Sequence, residues 1–121
     1  MDLEWNVDQT PGQYRQGQTA VVSIAYEKHI YIFQIARLHG NHFPVFLKNF
    51  LAESHILKVG RGIGNDLKRL QKESKCTEAF TEYKNLARMA KDCHMSPNAQ
   101  VGLAELSALV LKARLVKAAD I

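Results

Sequence analysis

Polar and apolar positions alternate at the very start of the chain, where Asp2 and Glu4 flank Leu3 and Trp5 follows. A period of two predicts a β-strand with both carboxylates on one face and both apolar side chains on the other. Residues 6–19 hold Pro11, Gly12 and Gly17 among Gln, Asn and Thr, a composition of turn formers that predicts a loop. The β-branched and aromatic runs at 20–26 and 29–35, parted by the polar pair Glu27 and Lys28, predict a hairpin. With the opening strand they make a three-stranded meander.

The periodicity then lengthens. Val45, Phe46, Phe50 and Leu51 fall at helical spacing within 44–54, and Pro44 suits a first turn. Residues 56–60 are short, largely apolar and end in Gly60, as a buried strand after a crossover helix would, which makes a β-α-β unit and a mixed sheet. Gly60, Gly62 and Gly64 free the backbone for a sharp turn. Asn65 or Asp66 then opens a helix that turns Leu67 and Leu70 inward and keeps Asp66 in its first turn. Leu86, Met89, Ala90 and Cys93 predict a helix over 83–94, stopped by Ser96, Pro97 and Asn98. A last amphipathic helix over 102–116 carries Leu103, Leu106, Val110 and Leu111 on one stripe. No internal repeat or linker divides the chain, so 1–121 reads as a single domain.

Composition narrows the classes. With 121 residues, 46% hydrophobic and 23% charged, the chain suits one globular core. Its formal net charge of +4 permits a polyanionic partner without demanding one. Cys76 and Cys93 are the only cysteines, too few for a disulfide framework and without the spacing of a zinc site, and the five histidines have no mutual ligand spacing. No signal segment opens the chain, and its apolar runs fall far short of the ~20 residues of a membrane span. The expectation is an intracellular protein, nuclear or cytoplasmic, neither secreted nor partnered with a membrane.

Clustered carboxylates repel unless something neutralises them, and a hard divalent cation such as Mg²⁺ or Mn²⁺ is the usual partner of an all-oxygen set. Asp2 and Glu4 on a strand, with Asp66 at a helix start beyond a hairpin, a helix and a strand, can converge at the edge of a mixed sheet. Two metal ions in such a place support in-line attack at phosphorus.

In these residues the chain resembles the DEDD 3′-5′ exonucleases of the RNase H-like fold, the Werner-helicase type in particular. Asp2, Glu4 and Trp5 look like the first motif. The segments 20–26 and 30–33 look like the next two strands. Lys58, Val59, Gly60, Gly62, Ile63 and Asp66 are similar to the second motif. Leu86, Ala87 and the helix of 102–115 resemble the approach to the third.

The resemblance implies an α/β fold: an RNase H-like mixed sheet, with a three-strand antiparallel meander plus a parallel strand, flanked by helices and truncated at both ends. It implies 3′-5′ exonuclease activity on DNA or RNA 3′ ends, single-stranded or 3′-ended, with two Mg²⁺ or Mn²⁺ ions. Asp2 would bridge both ions, Glu4 would orient the attacking water, and Asp66 would hold the second ion directly or through water. Leu3 and Trp5 would be core residues or contacts to the terminal base. Arg61 and Lys68 are candidates to track the phosphate backbone, beside the alternative of a solvated helix face.

The third motif, a helix bearing Tyr-x-x-x-Asp, has no counterpart within these residues. Losing one of four metal ligands lowers metal affinity and rate, so impaired hydrolysis is expected, with a catalytically inactive nucleic-acid-binding pseudo-nuclease as the alternative.

Overall fold

The computed structural model describes residues 1–10, 13–38 and 42–116. Strand β1 (Asp2–Thr10) pairs antiparallel with β2 (Gln13–Tyr26), and β2 pairs antiparallel with β3 (His29–Phe33). The meander is therefore present, but its first hairpin is far longer than the sequence suggests. The loop expected over 6–19 is strand on both sides of Pro11 and Gly12, with Val7 opposite Gln16 and Thr10 opposite Gln13. Gln, Asn and Thr satisfy a two-stranded ladder through their backbones, and only the Pro–Gly pair carries a turn signal. Those two residues lie outside the described set.

The register slips twice, between Glu4 and Trp5 and between Trp5 and Val7. Each slip adds a residue on the β2 side, since Trp5 faces Thr19 whereas Glu4 faces Val21. Such bulges raise the local twist and bend the ribbon away from the sheet.

A short 3-10 turn (Ile35–Arg37) replaces the last residue expected of β3, and helix α1 (Val45–Ala52) follows. Strand β4 (Lys58–Gly60) leads into α2 (Ile63–Ser74). Gly62 caps α2 at φ 69°, a left-handed conformation that a side chain would strain. The helix expected over 83–94 begins three residues late. Tyr83–Asn85 is strand β5, parallel to β4, and α3 (Leu86–Asp92) starts when the Asn85 side chain accepts the Ala87 N–H at 3.0 Å. Pairing with β4 outweighs helical spacing there.

Helix α4 (Leu103–Leu111) also stops short of 116. Lys112 turns left-handed and returns its N–H to the Ser107 carbonyl, and Leu115 and Val116 beyond it are exposed, with no core to hold a further turn.

Two hydrophobic clusters result. Leu3, Val22, Leu47, Leu51, Ile63, Leu67, Leu70 and Phe80 form the larger one, between the meander, α1 and α2. Ala87, Ala90, Val101 and Leu106 form a smaller one between α3 and α4. The antiparallel meander and the parallel strand are both present, as expected, but in two sheets, β1-β2-β3 and β4-β5. What joins them is the chain's first residue: the Met1 ammonium donates to the Val59 carbonyl at 2.9 Å.

Candidate active site

The first strand and the start of α2 meet because of that joint. A Cβ on Gly60 would come within 2.8 Å of the Met1 carbonyl oxygen, so only glycine lets the end of β4 pass this close to β1. Three residues later α2 begins at Ile63, and Asp66 lies in its first turn. Asp2, opposite Ser23, and Asp66 thereby come close enough for their charges to act on each other.

The electrostatics record this arrangement. Burial, then the negative charge of Asp2, push the Asp66 carboxyl above its ordinary value, while the Met1 ammonium and Arg69 pull it down. A carboxylate at a helix N-terminus is ordinarily favoured in its charged form, so the upward shift means that desolvation and the second acid outweigh the helix dipole here. The Met1 ammonium is itself pushed below its ordinary value by burial, against the opposing pull of Asp2 and Asp66. Two acids and one half-buried ammonium therefore act on one another at the junction of the two ladders.

Glu4 lies on the same strand, exposed, opposite Val21. Leu3 between the two acids is 4% exposed and packs into the larger cluster, so the two-residue period turns Asp2 and Glu4 away from the core. Glu4 is not brought into a common cluster with Asp2 and Asp66: among the described residues, no three His, Cys, Asp or Glu side chains form a group able to hold a metal ion. The converging pair of aspartates suits one hard cation through two oxygens, and not a full four-carboxylate set.

Of the residues expected along a nucleic-acid strand, Leu3 is a core residue. Trp5 is half-buried beneath Arg69, whose guanidinium carbon stands 4.5 Å from the ring centroid. Arg61 reaches forward to the segment before α4, donating from Nε to the Val101 carbonyl at 3.3 Å and from Nη2 to the Gln100 carbonyl at 3.2 Å. Its guanidinium thus braces the smaller cluster against the turn before α2. Lys68 is exposed on α2, two residues past Asp66.

Sequence reading missed what fixes α2 over the bulged strand. Arg69 donates to Thr19 Oγ1 at 3.1 Å and to the Gly17 carbonyl, and pairs with Glu73 at 3.2 Å, while Glu73 Oε1 accepts the Thr19 N–H at 3.0 Å. Both side chains are about four-fifths buried, a setting in which an ion pair needs such extra hydrogen bonds to offset desolvation. The signal available was the i, i+4 spacing of Arg69 and Glu73. Its target, the bulge at Thr19, is not legible from one chain.

No protein-family model matches the sequence, and no curated protein matches it. Solved structures do. The chain is similar to the crystal structure of the EXD2 exonuclease domain, at 21% identity and a TM-score of 0.60 over 98% of this chain and 59% of that one. The same domain soaked in Mg and GMP gives 22% identity and a TM-score of 0.59 over 95% of this chain and 57% of that one. Soaked in Mn, it gives 20% and 0.58 over 93% and 58%. The fold is that of the EXD2 exonuclease domain. The chain spans about three-fifths of the length of the structures it matches.

Proposed function

We propose that the chain is a 3′-5′ exonuclease-type domain of the Werner type. Asp2 and Asp66 are its metal-facing carboxylates, with Glu4 exposed on the same strand as Asp2, Lys68 lies along the path of the substrate strand, and phosphodiester hydrolysis at 3′ ends is weak. The observation that carries this reading is the approach of Asp2 to Asp66 at the junction of the two ladders, where burial, and then the Asp2 charge, hold the Asp66 carboxyl above its ordinary value. Perturbed carboxylates held together by a rigid fold mark functional sites more often than ordinary surface acids do.

Asp2 and Asp66 would hold a Mg²⁺ or Mn²⁺ ion, and such an ion supplies an activated water and a neutralised phosphoryl oxygen. The soaks of the EXD2 domain with Mg, with Mn and with GMP support this cation class and a nucleoside monophosphate as the released unit. The protein's own contribution is orientation. Leu3 in the core and the Gly60 approach fix the Asp2 backbone, and Arg69 limits the charge that accumulates at Asp66.

The pseudo-nuclease reading draws on one specific feature: Glu4 stands exposed on β1, outside a common group with Asp2 and Asp66, which leaves fewer oxygens to hold a cation. Incubation with a 3′-labelled and a 5′-labelled single strand across a Mg²⁺ and Mn²⁺ titration separates the two. Stepwise shortening from the 3′ end, lost in Asp66→Asn, supports the exonuclease. Retention of the strand without shortening supports the pseudo-nuclease, and neither shortening nor retention sinks both.

A further inference from the structure

Gly64, Lys68, Lys72 and Lys75 follow one another along α2 and its C-cap at spacings that stack residues on one side of a helix. The three lysines are exposed, and among the described residues no ion pair or hydrogen bond engages their ammonium groups. Other cations of the molecule are committed. Arg61 holds the Val101 and Gln100 carbonyls, Arg69 the Thr19 hydroxyl and Glu73, and Lys58 the Glu53 carbonyl.

Tyr83 stands at the head of the row. A Cβ on Gly64 would lie 3.2 Å from Tyr83 Cε2 and 3.3 Å from its Oη, so the ring rests where a side chain of the helix would otherwise begin. The tyrosine is still 44% exposed, and Lys68 follows one turn on from Gly64. At 3.6 residues per turn, Lys68 stands about 160° round the helix from Asp66, so the row faces away from the paired aspartates. Glu73 is held on the Thr19 side, and Glu82 acts on Lys58. Glu78, exposed in the loop after Lys75, leaves the row an excess of positive charge.

Three unpaired ammonium groups headed by an aromatic ring fit a polyanion whose units also offer flat faces. Ammonium groups stay in water, so this is not a face that waits for more of a protein core. Lys68 and Lys75 are about 10 Å apart along the axis, against about 3.4 Å per phosphate along one strand of a duplex, so three lysines can meet three phosphates. A base must be unstacked to lie on Tyr83, which favours a single strand over a duplex.

We propose that this row is a binding surface for single-stranded nucleic acid, with Lys68, Lys72 and Lys75 following the phosphates and Tyr83 stacking a base. It goes beyond the exonuclease reading, because it lies off the carboxylates and holds a strand with or without hydrolysis.

The test uses the full chain in EDTA and a fluorescent oligothymidylate of about twelve nucleotides, with anisotropy followed from about 50 to about 200 mM salt. The parent should bind. Changing the lysines together, Lys68→Gln, Lys72→Gln and Lys75→Gln, should weaken binding about tenfold or more at the lowest salt. The slope of log K against log salt should flatten by about 2, the single-strand value for three lost phosphate contacts. Arginine at the same positions should preserve affinity and slope. Tyr83→Leu should weaken binding without changing the slope, and Tyr83→Phe should not weaken it.

No binding by the parent overturns the proposal, as does a triple glutamine variant with the parent's affinity and slope. Parent-like binding by Tyr83→Leu, or equal affinity for a duplex, overturns it because stacking would play no part. Displacement of the strand by polyglutamate at equal charge also overturns it, since the row would then suit any acidic chain. With divalent cations removed, the outcome stands whichever way the labelled-strand titration falls.

Discussion

The cluster that seats α2 is built from Leu3, Val22, Leu47, Leu51, Ile63, Leu67, Leu70 and Phe80, whereas the one beneath α3 and α4 rests on Ala87, Ala90, Val101 and Leu106. Burying a large aliphatic or aromatic side chain contributes about 1.5–3 kcal/mol, and an alanine methyl contributes a fraction of that. The first region therefore holds its geometry by packing, and the Arg69–Glu73 clamp adds hydrogen bonds across its outer edge. The second depends on Leu106, Val101 and the reach of Arg61, while Leu103, Val110 and Leu111 stay exposed on α4. The converging aspartates lie on the well-packed region. Rigidity is thus concentrated where two like charges must be held together, and the low-stability end of the molecule is α3 and α4.

The sharpest way to break this contrast is a matched pair of truncations. Leu70→Ala should lower global stability by about 2–5 kcal/mol, the range for a fully buried leucine, as read by urea unfolding. Leu106→Ala should instead speed hydrogen exchange in α3 and α4 and leave α2 protected. Equal global losses from both would make the two clusters a single cooperative core.

Next in size is the joint between the ladders. Gly60→Ala places a Cβ against the Met1 carbonyl and should cost about 1–3 kcal/mol as an overpacked contact, with the loss concentrated in exchange at residues 58–60. Arg69→Met keeps most of the side chain over Trp5 but removes the bonds to Thr19 and Gly17. It should cost about 1–3 kcal/mol, since a charged donor set is lost and Glu73 is left buried without its cation.

The smallest effect is electrostatic and its sign is defined. Asp66 has a folded-state pKa above 3.8, so folding disfavours its charged form, and that cost is fully present above the folded value. Stability is regained as pH falls from the folded value through 3.8. Asp66→Asn removes the cost, so the variant should melt above the parent at neutral pH. The gap should close as the solution is acidified through that window, as a calorimetric pH series would record.

Much of the architecture is legible in the sequence because it rests on local pattern. Leu67 and Leu70 announce the buried face of α2 and Glu27 and Lys28 the second turn, whereas α2 opens at Ile63 behind a left-handed Gly62 and not at Asn65 or Asp66 as the sequence suggests. The misreadings arise where backbone pairing acts across long separations. Residues 6–19 carry no apolar alternation, yet they complete a hairpin because each strand supplies the other's hydrogen bonds. Tyr83 and Lys84 sit in helical register with Leu86 but pair with Lys58 and Val59 instead.

At the site, Asp2 and Asp66 could be nominated from strand and helix-start positions. The part played by the Met1 ammonium could not, because it depends on the approach of β4 to the first residue. The Trp5–Arg69 contact was hidden for a similar reason: the bulge between Glu4 and Trp5 decides which way the indole faces.

The claim on which the rest depends is that Asp2 and Asp66 share one electrostatic site. Carboxyl ¹³C NMR titration of Asp66, in the parent chain and in Asp2→Asn, measures this directly. The account predicts a midpoint above 3.8 in the parent that moves down when the Asp2 charge is removed. The same midpoint in both proteins would contradict it.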